Sequence, residues 1–209
     1  MPKELPNRLP ELLQSFFCHR LQSQQAVSPH TLSSYRDTFR LLLAFIERKT
    51  GRAPSQQRLE DWSSVQLVRF LDYLEKERGC RARTRNSRLA AIRTFMRYVA
   101  QEEPSAVALA QRALAIPMKR FDRPLLGHLS RAELQALLQA IDPGTPSGQR
   151  DHLLVSLLYN TGARVSEILQ LQRQHVREQP SPVIHVQGKG RKQRTLPIWR
   201  SVAKELKTH

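Results

Sequence analysis

Two short stretches of the sequence carry residue types suited to handling a phosphate. The first is Thr161-Gly162-Ala163-Arg164-Val165-Ser166-Glu167, where a Thr-Gly break is followed by an arginine at a helix start and an acid one turn later. A guanidinium is a planar fork of donors that fits two oxygens of a phosphodiester, and held in place it stabilises charge that builds up in a transition state. Backbone N–H groups at a helix start favour an anion at the same position, and Glu167 is spaced to orient the arginine. Taken alone, an Arg and a Glu three residues apart also read as an ordinary surface ion pair. The second stretch is Gly188-Lys189-Gly190-Arg191-Lys192-Gln193-Arg194, followed by Thr195-Leu196-Pro197-Ile198. Taken alone, it is a basic turn, which is either solvated or touches phosphate without specificity.

The elements that must position these residues are legible around them. Ser130-Arg131-Ala132-Glu133 spells a capping box, so a helix is expected over Arg131 to Ile141. Asp142 to Gly148 reads as loop, and Gln149 to Asn160 as an apolar core helix that Thr161-Gly162 breaks before a short helix from Arg164 to Leu171. The period then changes. Val183 to Val186 is strand-like, Gly188 to Lys192 a turn, and Arg194 to Ile198 a return strand, which together predict a β-hairpin with a basic tip. A helix from Arg200 to Lys207 follows.

The first half reads as consecutive amphipathic helices. Leu9 to Leu21 is a short one. Ser28-Pro29 opens a stronger one that carries Leu32, Tyr35, Phe39, Leu42 and Ile46 on one face and stops at Gly51. A third opens at Ser63 or Ser64, turns Val65, Val68, Leu71 and Leu74 inward, and ends at Gly79. A fourth runs from after Thr84 to about Gln101 over Leu89, Ile92, Phe95 or Met96, and Val99, and Ala106 to Ile116 adds another. The fold class expected is mainly α: a four- to five-helix bundle over residues 1–116, a basic aperiodic linker over 117–127, and a smaller α+β part over 128–209.

Composition narrows the partner. The formal charge is +16, from 34 Lys and Arg against 18 Asp and Glu, and the excess is spread over both halves. A fold that carries such self-repulsion is usually offset by a polyanion, of which nucleic acid is the commonest. Arg far outnumbers Lys, which favours fork-like contacts, although a codon bias that swaps Lys for Arg would look the same. Residues 78–100 hold seven arginines and no acid. Arg81, Arg83, Arg85 and Arg88 crowd one helix end, opposite the apolar stripe, and are expected to meet DNA or else to form a solvated basic face. Cys18 and Cys80 lack metal-ligand spacing, and so do the seven histidines, so no disulfide scaffold, metal or cofactor is expected. No apolar run has membrane-spanning length, and a soluble, cytoplasmic protein is expected.

Leu157-Leu158-Tyr159-Asn160-Thr161-Gly162-Ala163-Arg164-Val165-Ser166-Glu167-Ile168-Leu169-Gln170-Leu171 resembles the first active-site box of the tyrosine recombinases, the phage integrase family. The basic turn is similar to that family's G-K-G-x-K-x-R hairpin. In the first half, Thr84-Arg85-Asn86-Ser87-Arg88-Leu89-Ala90-Ala91-Ile92-Arg93 and Ser28-Pro29-His30-Thr31-Leu32-Ser33-Ser34-Tyr35 resemble helices of its DNA-clamping core-binding (SAM-like) domain, with the arginine of the first spaced slightly differently.

The resemblance implies an N-terminal core-binding domain followed by part of an α+β integrase catalytic domain. It makes Arg164 the catalytic arginine, Glu167 its supporting acid, and Lys189 the general acid for the departing 5′ oxygen. It makes Arg81, Arg83, Thr84, Arg85, Asn86, Arg88, Arg93, Arg191, Lys192 and Arg194 candidate contacts to double-stranded DNA, and other recombinase subunits candidate partners. The family completes its site with an H-x-x-R box, a further His or Trp, and a tyrosine nucleophile, all downstream of the hairpin. Tyr35, Tyr73, Tyr98 and Tyr159 all precede Arg164 and read as core residues, and His128-Leu129-Ser130-Arg131 spells H-x-x-R in the wrong place. The expectation is therefore a recombinase chain that is catalytically incomplete. The alternatives are a non-catalytic regulator that competes for recombination sites, and a helical nucleic-acid-binding module outside the family.

Overall fold

In the computed structural model, which describes residues 7–122, 125, 127–177, 180–188, 190 and 192–208, the chain divides into two units, Met1–Pro124 and Leu125–His209. The first unit is helical. It opens with α1 (Leu9–Ser15), which widens into a π-helical stretch, Phe16–Gln24, instead of continuing as the single α-helix expected to Leu21.

The next helix, α2 (Pro29–Thr50), begins and ends where its punctuation says. The Ser28 hydroxyl accepts the Thr31 N–H, Pro29 fills the first turn where no N–H partner is needed, and Gly51 closes the helix at φ 71°. Its buried face is Thr38, Phe39, Leu42, Phe45 and Ile46. Two short 3₁₀ turns lead to α3 (Ser64–Lys76), capped by Ser63.

Here the expected inward stripe is corrected. Leu67, Phe70, Leu71 and Leu74 are buried, whereas Val65 is 58% and Val68 40% exposed. Both sets share Leu71 and Leu74 at helical spacing, and the larger Leu67 and Phe70 bury more apolar surface than two valines. α4 (Ala82–Glu102) starts three residues earlier than expected, and α5 (Val107–Leu114) packs against it. The core centres on aromatic rings, with Phe39 stacked on Trp62 at 5.8 Å and Phe16 edge-on to Phe95 at 5.2 Å.

In the second unit, α6 (Arg131–Gln139) has the capping box formed, Ser130 accepting the Glu133 N–H while the Glu133 carboxylate accepts the Ser130 N–H. α7 (Pro146–Thr161) begins inside the stretch read as loop: Thr145 caps it by accepting the Gly148 N–H, and Pro146 sits in the first turn, where proline is pre-set for a helix. α8 (Val165–Ile168) is only four residues long, so Arg164 is its extended N-cap and not part of a helix running to Leu171. One turn has few aligned peptides, and the helix-start contribution to anion binding expected there drops out.

The hairpin is β2 (Val183–Gln187) and β3 (Gln193–Pro197), paired antiparallel from Val183↔Pro197 to Gln187↔Gln193. A short β1 (Val176–Arg177), not expected from the sequence, pairs with β2 to make a three-stranded sheet in the order β1-β2-β3. Two residues give too short an alternation to stand out as a strand. Then α9 (Arg200–Thr208) packs on α7. The unit's core is Leu153, Leu157, Ile168, Ile184, Val186, Ile198 and Val202, with smaller neighbours. Tyr159 is not in it: 48% exposed, it meets the half-exposed Trp199 ring edge-on at 5.9 Å.

Candidate functional site

Glu167 is almost fully enclosed, with 3% of its side chain exposed, yet each of its oxygens accepts two hydrogen bonds. Oε2 accepts from the Arg164 backbone N–H at 2.8 Å and from Arg194 Nη2 at 2.7 Å. Oε1 accepts from Arg164 Nη1 at 2.9 Å and from Arg194 Nη1 at 3.2 Å. The local fold explains the convergence: the Gly162 turn at φ 60° ends α7 and delivers Arg164 as the cap of α8, so that Glu167 folds back on it, while β3 carries Arg194 to the other side. The Arg164 backbone N–H, followed by the two guanidiniums, holds the Glu167 carboxyl below the usual glutamate range despite its burial.

Two guanidiniums around one carboxylate leave net positive charge, and the Arg164 side chain, 64% exposed, presents it to solvent. A guanidinium fixed at one end and open at the other is what a phosphate-gripping arginine requires. The hairpin closes tightly on this cluster. The Gly188 N–H donates to the Lys192 carbonyl at 2.7 Å, and a Cβ at Gly188 would lie 3.0 Å from Glu167 Oε1 and 3.2 Å from Arg194 Nη1. A side chain there would press on the Glu167 carboxylate, which would have to give by a few tenths of an ångström. Lys192 is exposed; Lys189 and Arg191 lie outside the described residues.

The helical unit distributes its predicted DNA contacts differently from the expectation. Arg81, Arg83 and Thr84 are exposed at the start of α4. Arg88 and Arg93 are half-buried, each with one buried nitrogen, Nη1 and Nε respectively, that has no hydrogen-bond partner among the described residues. Arg85 is a correction: at 8% exposure it lies inside the unit, its Nε 3.6 Å from Glu75 and its Nη1 donating to the Pro117 carbonyl at 3.4 Å. The reason is periodicity, since Arg85 precedes Leu89 by one full turn and so shares its buried face. Asn86 is likewise turned to the chain, exchanging two hydrogen bonds with the backbone of Lys119, while Lys119 Nζ reaches Glu75 at 2.9 Å. Glu75 was not singled out in the sequence, and Pro117 and Lys119 were read only as part of the basic linker. The detectable signal was an arginine standing on an apolar stripe, which demands an acid and a carbonyl nearby.

Two family models match the chain: the N-terminal SAM-like domain of phage integrases over residues 14–103 and the phage integrase family over residues 128–209. The putative integrase/recombinase y4rD of Sinorhizobium fredii is 40% identical over 205 residues, covering 95% of this chain and 71% of its own length. The chain belongs to the phage integrase family.

Other members of that family are similar over nearly the whole chain. The putative integrase/recombinase y4rC of the same organism is 47% identical over 199 residues, 95% of this chain and 60% of y4rC. The tyrosine recombinase XerD of Pseudomonas putida is 31% identical over 87% of this chain and 57% of its own. The chain thus spans about three fifths of the length of these two phage integrase relatives. Among solved structures, a lambda integrase dimer bound to a COC′ core site superposes with a TM-score of 0.65 at 16% identity, over 96% of this chain and 68% of that one. XerH site-specific recombinase bound to difH substrate in a pre-cleavage complex gives 0.63 at 21% identity, over 98% and 60%. The fold is the integrase fold: mainly helical, with a SAM-like domain and a small antiparallel sheet. Among the described residues no helix is long and apolar enough to cross a membrane.

Proposed function

We propose that the chain binds duplex DNA in site-specific recombination or integration and grips one backbone phosphate with Arg164. Lys189, from the basic turn, serves as general acid for the departing 5′ oxygen, and Glu167 holds Arg164 in place. The exposed start of α4, with Arg81, Arg83 and Thr84, supplies phosphate contacts that position the duplex. The observation that carries this reading is the enclosed Glu167 carboxylate holding a solvent-facing guanidinium, at the position where the sequence resembles the family's first active-site box. In the intact reaction a tyrosine oxygen attacks the phosphodiester and forms a 3′-phosphotyrosine, a covalent link that conserves bond energy and needs neither ATP nor a metal. Every tyrosine of these 209 residues precedes Arg164. By themselves they accordingly bind DNA without cleaving it.

The test is duplex binding against salt. A protein that meets about 6–10 phosphates loses about a thousandfold or more in affinity between about 50 and 200 mM salt. A flat curve contradicts the proposal. The duplex contacts offered by the exposed start of α4 do not depend on the chemistry, so a second reading is a regulator that occupies recombination sites without reacting. Adding the chain to an intact relative separates the two: inhibition at stoichiometric occupancy supports the regulator, and unchanged recombination removes it.

A further inference from the structure

Arg194 was expected on the DNA, as one of the cations of the basic hairpin. The structure gives it another occupation. Its two terminal nitrogens straddle both oxygens of Glu167, at 2.7 and 3.2 Å, in the parallel two-bond arrangement that fixes both direction and distance. The same carboxylate fastens the backbone and the guanidinium of Arg164 at 2.8 and 2.9 Å. β3 and the start of α8 are thus tied through one shared anion, and the tie lies next to the hairpin closure at Gly188 and Lys192. We infer that Arg194 is a positioning residue: through Glu167 it sets the direction of the Arg164 guanidinium and holds the start of β3 beside it. This rests on Arg164 being the residue that grips the phosphate.

The alternative role for the same side chain is an independent phosphate contact, and charge alone does not separate the two. Arg194 is 40% exposed, enough to touch an anion at its edge. The geometry favours positioning because the fork is closed on Glu167. A lysine, with a single point of charge on a flexible stem, cannot straddle both oxygens even though it keeps the charge.

The deciding experiment uses the full chain and the variants Arg194→Ala, Arg194→Lys, Arg164→Ala and Arg164→Ala/Arg194→Ala, with a short duplex and a salt series. A positioning residue acts through Arg164. Arg194→Ala and Arg194→Lys then weaken binding by a similar factor, about three- to tenfold, and Arg194→Ala adds nothing once Arg164 is gone. Full rescue by lysine, or a double variant whose losses multiply, makes Arg194 a phosphate contact and overturns the inference. A second readout needs no DNA: the Glu167 carboxyl titration, followed by carbon-13 NMR, moves upward in Arg194→Ala and Arg194→Lys. An unmoved titration also overturns the inference. Should the unaltered chain not bind the duplex while the titration moves as stated, the tie stands and the DNA reading falls, so the two failures are told apart.

Discussion

Asn86 and the backbone of Lys119 exchange a pair of hydrogen bonds: the Asn86 amide donates to the Lys119 carbonyl at 2.7 Å, and the Lys119 N–H donates to Asn86 Oδ1 at 2.9 Å. A side-chain amide has the same donor and acceptor pair as a peptide, so it binds a backbone as a neighbouring strand would. With Arg85 on the Pro117 carbonyl and Glu75 on Lys119 Nζ, it fastens the residues that leave α5 onto the first turns of α4, beside the exposed Arg81, Arg83 and Thr84.

Replacing Asn86 by Ala removes both bonds. Because the site is exposed, the expected cost in unfolding free energy is about 1 kcal/mol. The local effect is larger: trypsin should cut after Lys119 and Arg120 several-fold faster than in the unaltered chain, while cuts elsewhere keep their rate. An unchanged digestion pattern would mean that the clamp does not hold the segment.

Gln57 is a stability prediction inside the helical core. Fully buried, it donates from Nε2 to the Leu43 carbonyl at 2.8 Å and accepts from Trp62 Nε1 at 3.3 Å. Gln57→Ala strands a carbonyl and an indole N–H in a dry interior, at an expected cost of about 2–4 kcal/mol in urea unfolding. The red-shift of Trp62 fluorescence reports the same change.

Gly148 lies in the first turn of α7, where a Cβ would run into the Asp142 backbone carbonyl oxygen. Backbone cannot move aside as a flexible side chain does. Gly148→Ala therefore destabilises the second unit by about 2–3 kcal/mol, despite alanine's better helix propensity. Differential scanning of the full chain, read against Gly127→Ala where the added Cβ meets nothing within 4 Å, isolates the effect.

Acid should loosen the Arg164 site. The Arg164 backbone N–H and the two guanidiniums depress the Glu167 pKa, so its stabilising contribution is complete above the ordinary glutamate value, about 4.3, and is lost as pH falls through the lower folded value. Glu167→Gln removes that contribution. The difference in stability between the unaltered chain and Glu167→Gln should be largest near neutral pH and shrink on acidification; a gap that stays constant from pH 7 downward would falsify the linkage.

Much of this molecule was written in local patterns. The Ser28-Pro29 start and Gly51 stop of α2, the capping box at Ser130 and Glu133, and the change of period at the hairpin depend on neighbours within a few residues, and each formed as read. The placement of Arg164 after a Thr-Gly break is of the same kind. The inward face of α3 was harder, because Val65 and Val68 share helical spacing with Leu71 and Leu74; only the packing of Phe70 on Phe45 at 5.6 Å selects the face.

Tertiary structure alone decided which basic residues are free. Charge and spacing made Arg81, Arg83, Arg85, Arg88 and Arg194 equivalent cations, since the sequence records that a guanidinium exists but not what faces it across the fold. Arg85 found Glu75 on another helix, and Arg194 found Glu167 from a separate strand, whereas Arg81 and Arg83 stayed open to solvent. Burying a charge is tolerable only beside an opposite one, and in both cases chain folding brings that partner close from a different element, over a separation that no local pattern spans.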